Sequence, residues 1–299
     1  MGSTLAIAAP PDFDLARDAN SYGYVRLAPD RWDADAACLY TILSLDGGPA
    51  PLRVTQSARG RLRAAFGRAL SRSEQAQARR HIARMLRLDE TQADIAAFHA
   101  VDPRWKASGR GRVFRSATLF QDIIRTVTSC NVAWSSTVNM NRWFCEVLGE
   151  GGAFPTVSRF ARVRPGTLRG RCRVGYRDQR IIDLARLFLS GQIDEAWLSD
   201  PATSDDAAFA FLKTLPGIGP YAAANIMQLL GRYAFLAIDS ETLRHARKAL
   251  GFTGEDPQVI AQVRAHYEQF GAHKFRSYWF ELWTGYEVKL GPAHEWQPS

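Results

Sequence analysis

Three groups of residues in this chain have types and spacings that can do chemistry. The first is "LPGIGPYAAANI", Leu215 to Ile226, where Gly217 and Gly219 bracket one residue and Pro220 follows at once. A Gly-x-Gly turn opening a helix lets backbone N–H groups converge, so it can hold an anion without side-chain charge. A nucleic-acid phosphate is the natural guest; the rival is an αα-hairpin whose glycines only permit close packing. The second group is basic. Ala161 to Arg180, "ARVRPGTLRGRCRVGYRDQR", carries seven arginines (Arg162, Arg164, Arg169, Arg171, Arg173, Arg177, Arg180) against one acid, Asp178; Arg104 to Arg115, "RWKASGRGRVFR", carries five basic residues and no acid. Both runs predict phosphate contact ahead of merely solvated loops. The third is Asp239, eighteen residues after Tyr221 in "AIDSETLRHARKALG". Taken alone, it is best read as the N-cap of a helix over 240–250.

The background suits such a reading. The 299 residues carry a net charge of +8 and a pI near 9.6, which point to a polyanionic partner once the charge is clustered. Cys38, Cys130, Cys145 and Cys172 lie far apart, so neither a zinc site nor a disulfide framework is expected, only idle thiols in a reducing compartment. No apolar run approaches the roughly 20 residues that span a bilayer, and "MGSTLAIAAPPDF" lacks a basic start, so a cytoplasmic, soluble protein without a membrane partner is expected.

The elements that must position these groups divide in two. "YGYVRL" (22–27), "CLYTILSL" (38–45) and "PLRVTQ" (51–56) are rich in β-branched and aromatic residues, and "DGGPA" between the last two signals a turn. They predict a small antiparallel sheet. "SRSEQAQARRHIARMLRL" (71–88) places Ala78, Ile82, Met85 and Leu86 on one face behind a Ser71–Glu74 capping box. From about Thr118 onward the pattern is helical: "LFQDIIRTVTSC", "TVNMNRWFCEVLG", "DQRIIDLARLFLSG", and "SDDAAFAFLKTL" with Ser204 as N-cap. Pro220 stands at a first helical position behind Gly219, and Gly231 ends that helix. The fold class is α+β: a small N-terminal antiparallel-sheet domain over 1–111, then a mostly α-helical region over 112–299, with the boundary near Gly109 to Gly111.

The hairpin followed by "AIDSETLRHARKALG" resembles the helix-hairpin-helix (HhH-GPD) DNA glycosylase superfamily. "FQDIIRTVTSCNVAWSSTVNMNRWFCEVLGE", "RVGYRDQRIIDLARLFLSG" and "FGAHKFRSYWFELW" resemble the branch that contains 3-methyladenine glycosylase II and 8-oxoguanine glycosylase. The resemblance covers most of 119–283 and the N-terminal part only loosely. It implies that Asp239 is catalytic: cleaving a base from deoxyribose builds oxocarbenium charge on the sugar, which a fixed carboxylate stabilises. It implies a DNA-binding hairpin of Leu215, Pro216, Gly217, Ile218, Gly219 and Tyr221, with Asn131 entering the gap left by a flipped base and Tyr176 as its wedge. Asn131 as a helix cap and Tyr176 as core are the rivals. Trp134, Tyr221, Trp279 and Trp283 are candidates for the base pocket, since a cationic alkylated base is drawn to aromatic faces, and core packing is the alternative for each. Arg177, Arg244 and Lys248 are candidate phosphate contacts.

Departures from the family pattern narrow the expectation. Bifunctional members carry a lysine two positions after the second turn glycine; this chain has Tyr221 there, and Lys213 precedes the turn, so a monofunctional glycosylase is expected. Glu241 replaces the phosphate-contacting histidine of 8-oxoguanine glycosylase, and Gly23 falls only near that enzyme's base-reading glycine. No cysteine follows Cys172, so no iron–sulfur cluster is expected; no cofactor is required, no metal is held by side chains, and a monovalent cation on hairpin carbonyls is admitted. The expected partner is double-stranded DNA with a damaged base, met by a monomer. An alkylated purine is favoured over the alternatives, an oxidised or deaminated base or a non-catalytic lesion-binding role.

Overall fold

The computed structural model describes residues 2–297. Its sheet is formed by β1 (Thr4–Ala8), β2 (Arg31–Asp33), β3 (Cys38–Leu45), β4 (Gly48–Ala58) and β5 (Arg61–Phe66), all antiparallel, in the order β1-β5-β4-β3-β2. Leu39, Leu43, Leu52, Val54, Leu62 and Ala64 alternate onto the buried face, as the period of a half-buried strand requires. β3 and β4 lie where the sequence predicts strands. The stretch 22–27 does not: Gly23–Arg26 is a turn of 3-10 helix with Tyr24 and Val25 both buried, closed by the Leu27 N–H on the Tyr24 carbonyl.

Fourteen α-helices follow or interleave among the described residues: α1 (Leu15–Ala19), α2 (Arg72–Met85), α3 (Gln92–Val101), α4 (Leu119–Ser129), α5 (Trp134–Val147), α6 (Val157–Arg162), α7 (Pro165–Arg171), α8 (Asp178–Leu189), α9 (Glu195–Ser199), α10 (Asp205–Leu212), α11 (Pro220–Leu230), α12 (Ser240–Ala249), α13 (Asp256–Glu268) and α14 (Lys274–Leu290). Local chemistry sets their ends. Ser71 and Glu74 form the reciprocal capping box at α2, Ser204 caps α10, and Gly231 closes α11 in the left-handed conformation at φ 96°.

The helices serve two cores. One packs the sheet, α2 and α3 against the last two helices, joining Leu39, Val54, Ile82 and Phe98 to Val263, Tyr267, Phe275 and Phe280. The other lies within the helical middle of the chain, with Ile123, Phe144, Phe160, Ile181, Leu212 and Ile226. The chain leaves the first core after Phe114 and returns to it from Ala224 onward, so the core is not divided at 111/112. Tyr221, Phe209 and Phe235 pack against both cores, which puts the start of α11 at their junction. The far end of α11 is held from the N-terminal side: the buried guanidinium of Arg87 donates to the carbonyls of Gln228 and Leu229, and Arg115 donates to Leu229 as well.

Candidate functional site

Asp239 sits at the junction, half-buried, in extended backbone just before α12. Its Oδ1 accepts from the Thr242 N–H at 2.9 Å and from the Thr242 hydroxyl at 3.1 Å, so the N-cap expected from sequence is present. Both bonds fall on one oxygen. Burial raises its proton affinity, the hydrogen bonds from Thr242 and the Glu241 backbone work against that, and the Glu241 charge adds to it; the balance holds the carboxyl above its ordinary value. The charge of Asp239 reaches Tyr221, Tyr278 and Cys130. Cys130, read from sequence as an idle thiol, therefore feels the charge of the carboxylate, is kept neutral mainly by burial, and donates to the Thr126 carbonyl at 3.2 Å.

Tyr221 links this carboxylate to a group of aromatic residues that composition gave no reason to single out. Its own hydroxyl is held protonated by burial and by Asp239, and it faces Tyr22 and Tyr24. Tyr22 donates to Asn225 Oδ1 at 2.6 Å, and Asn225 Nδ2 donates to the Tyr24 hydroxyl at 3.2 Å and to Thr126 Oγ1 at 3.0 Å. This closed network fixes the 23–26 turn to α4 and α11. Two tryptophans lie on the same turn. Trp279 packs on Tyr22 with ring centres 4.7 Å apart and planes tilted by 55°, and donates Nε1–H to the Ser21 carbonyl, while the exposed ring of Trp134 covers Gly23. A Cβ at Gly23 would fall 3.1 Å from the Trp134 ring, so glycine is what lets that ring approach. Trp283 is a correction. It is buried against Trp279 and Trp296 and lines a separate cavity of about 360 Å³ with Asn20, Arg112 and Phe280, because its position on α14 carries it one turn beyond the junction.

The hairpin between α10 and α11 turns outward. Leu215 and Ile218 are buried and anchor it, whereas Gly217 and Gly219 are exposed. Gly217 adopts φ 78°, and a Cβ there would also strike Arg180 at 2.8 Å. Gly219 has open space where a side chain would stand, and α11 has no side-chain cap; its ladder begins with the Ala223 N–H on the Gly219 carbonyl at 2.9 Å. The Tyr221 and Ala222 N–H groups of the first turn have no hydrogen-bond partner among the described residues, as an anion site needs.

Asn131 and Tyr176 both lie in exposed turns. Asn131 is exposed at φ 54° between α4 and α5, and caps neither; Tyr176 is 53% exposed in the Gly175–Arg177 turn. What joins them is Arg177, and here the expectation of a phosphate contact is corrected. Arg177 is buried, donating to the carbonyls of Val127, Cys130 and Val174, so it ties the end of α4 to the turn beneath Tyr176. Arg244 is also engaged inside the chain, paired with Glu241 and placed over the Tyr286 ring. Lys248 is exposed and has no acidic partner within 4.0 Å among the described residues.

The two basic runs separate. Arg162, Arg164, Arg171, Arg173 and Arg180 are exposed without a carboxylate partner among the described residues, and Arg169 pairs with Asp178 at 2.7 Å. In the other run, Arg104 pairs with Asp102 and Glu281, Arg110 with Glu287, Arg112 with Asp12 and Arg115 with Asp89. That run is a correction: four of its five cations are bound to acids far away in the sequence.

No protein-family model and no curated protein matches the sequence. Solved structures do match its fold. MBOgg1, solved in complex with a low-affinity DNA ligand, superposes with a TM-score of 0.71 at 17% identity, over 96% of this chain and 97% of that one. The 3-methyladenine DNA glycosylase of Archaeoglobus fulgidus gives 0.70 at 15%, over 96% and 99%. The 8-oxoguanine glycosylase/lyase of Clostridium acetobutylicum gives 0.68 at 16%, over 94% and 98%. The chain therefore has the fold of these glycosylases along nearly its whole length.

Proposed function

We propose that the protein is a monofunctional DNA glycosylase of base-excision repair, acting on a damaged base flipped out of duplex DNA. The observation that carries the reading is Asp239: a half-buried carboxylate with one oxygen engaged by the helix it caps, set at the junction beside Tyr221 and the aromatic turn. The helix-hairpin-helix takes a phosphate on the open N–H groups of α11, and the unpaired arginines from Arg162 to Arg180 take its neighbours along the backbone. Asn131 and Tyr176 fill the space the extruded nucleotide leaves.

The chemistry then needs little more than placement. The bond from C1′ to the base nitrogen breaks and its electron pair leaves with the base. Positive charge develops on the sugar, and the free oxygen of Asp239 stabilises it while water adds to C1′ and gives its proton to the carboxylate or solvent. Tyr221 stands where a lyase would hold an amine. A phenol carries no amine to condense with the sugar and forms no Schiff base, so an abasic site is the product. The exposed ring of Trp134, with the half-buried Trp279 on the same turn, favours a cationic, alkylated purine.

The test is a panel of duplexes carrying 7-methylguanine, a 3-methyladenine analogue, hypoxanthine, 8-oxoguanine or uracil, scored for abasic sites with and without alkali. Strand scission only after alkali is expected, with Asp239→Asn slower by at least about a hundredfold. Scission without alkali would sink the assignment at Tyr221, and salt-dependent binding without base release from any duplex would leave a lesion-binding protein instead.

A further inference from the structure

We propose that Thr242, with its hydroxyl fixed by Tyr278, divides the two oxygens of Asp239 between the helix and the sugar. The proposal rests on the catalytic reading of Asp239 given above. Its basis is a count of hydrogens. Thr242 Oγ1 lies 3.1 Å from the Asp239 N–H, 3.1 Å from Asp239 Oδ1, 2.7 Å from the Tyr278 hydroxyl and 3.4 Å from the Ala237 carbonyl. The Asp239 N–H can only donate. The buried Tyr278 hydroxyl has no other polar partner among the described residues, so its proton also goes to Oγ1. With both lone pairs taken, the single threonine proton is free for Oδ1, the nearer of its acceptors.

The chain Tyr278 to Thr242 to Asp239 therefore runs in one direction and ends on one oxygen. Together with the Thr242 N–H it loads Oδ1 with two donors, and no side chain among the described residues bonds to Oδ2. The groups facing this carboxylate come from four elements: Glu241 in the first turn of α12, Tyr221 from α11, Tyr278 from α14 and Cys130 after α4. All are neutral or acidic, and among the described residues no Lys, Arg or His pairs with this carboxylate within 4.0 Å; it is the hydrogen bonds to its charged form that oppose burial. Thr242 is a positioning residue, since it touches Asp239 and not the substrate.

Single-turnover release of purines from dimethyl-sulfate-alkylated duplex DNA, followed from pH 4 to 9, tests this with Thr242→Val, Thr242→Ser and Tyr278→Phe beside Asp239→Asn. Valine keeps the shape and the N–H but removes the hydroxyl. Because that hydroxyl favours the carboxylate over the carboxylic acid, its loss moves the acid limb of the rate to higher pH by about one unit. DNA affinity stays unchanged. Serine restores the wild-type limb, and Tyr278→Phe moves it the same way by less; that variant also gives the answer if valine fails to fold. A wild-type profile in both Thr242→Val and Tyr278→Phe, with Asp239→Asn inactive, would overturn the proposal and leave the catalytic reading standing. Full activity in Asp239→Asn, or no base release by the wild type from this DNA or from any duplex of the lesion panel, would remove that reading and the proposal with it.

Discussion

Two stretches of this chain look alike in sequence and differ in the folded molecule. Arg104 to Arg115 and Ala161 to Arg180 are both arginine-rich and nearly free of acids, yet the first run is bound internally and the second is largely open to solvent. The acids that neutralise the first, Asp12, Asp89, Glu281 and Glu287, arrive from both ends of the chain. The difference teaches that local charge density says little about an interface until distant partners are placed. Exposure without a partner is the part of the signal that concerns a polyanion.

That contrast can be broken or sharpened by substitution. The largest loss of stability is expected for Arg112→Ala, which leaves Asp12 facing a buried site without its partner: about 3–5 kcal/mol by denaturant unfolding, with no change in how DNA binding responds to salt. Arg177→Ala comes next. It belongs to the open run by sequence but should behave like the closed one, losing about 2–3 kcal/mol as three carbonyls give up their donor. A stable Arg177→Ala protein with a flatter salt dependence would return this residue to the phosphate-binding set. The smallest effect on stability, within about 0.5 kcal/mol, belongs to the triple change Arg162→Ala, Arg171→Ala, Arg173→Ala. There the slope of log K against log salt should flatten by about 2 to 3, measured by fluorescence anisotropy on duplex DNA. An unchanged slope would mean that these arginines face away from the bound backbone.

What could be read from sequence follows the range of the forces involved. Capping is local, so Ser71 with Glu74, Ser204 and Gly219–Pro220 marked helix starts that the structure keeps. Asp239 was legible both as a cap and, through its spacing from the hairpin, as a candidate for chemistry. The segment 22–27 departs from the expected strand because aromatic and β-branched composition does not distinguish a strand from a turn whose Tyr22, Tyr24 and Val25 are buried, the two tyrosines bonded to α11 and α4. β1 and β5 escaped notice for another reason. "TLAIA" and "RLRAAF" do alternate, but alanine and arginine give a weak β signal, and the pairing of Leu5 with Ala64 supplies the rest. The Tyr22–Asn225–Tyr24–Thr126 network and the carbonyl bonds of Arg177 were beyond reach, since their partners are separated by up to 203 residues.

The anchoring of α11 has a consequence for the whole molecule. A peptide helix is polarised from end to end, and here the negative pole is earthed: Arg87 and Arg115 absorb the field of the Gln228 and Leu229 carbonyls within the sheet-bearing body. The positive pole at Gly219 is then left unopposed, and its attraction for an anion is not diluted by the far end. The same two arginines make the helix a strut. A push on the hairpin, such as a bent duplex would exert, passes along α11 into the N-terminal sheet, so the two cores must take that load as one body.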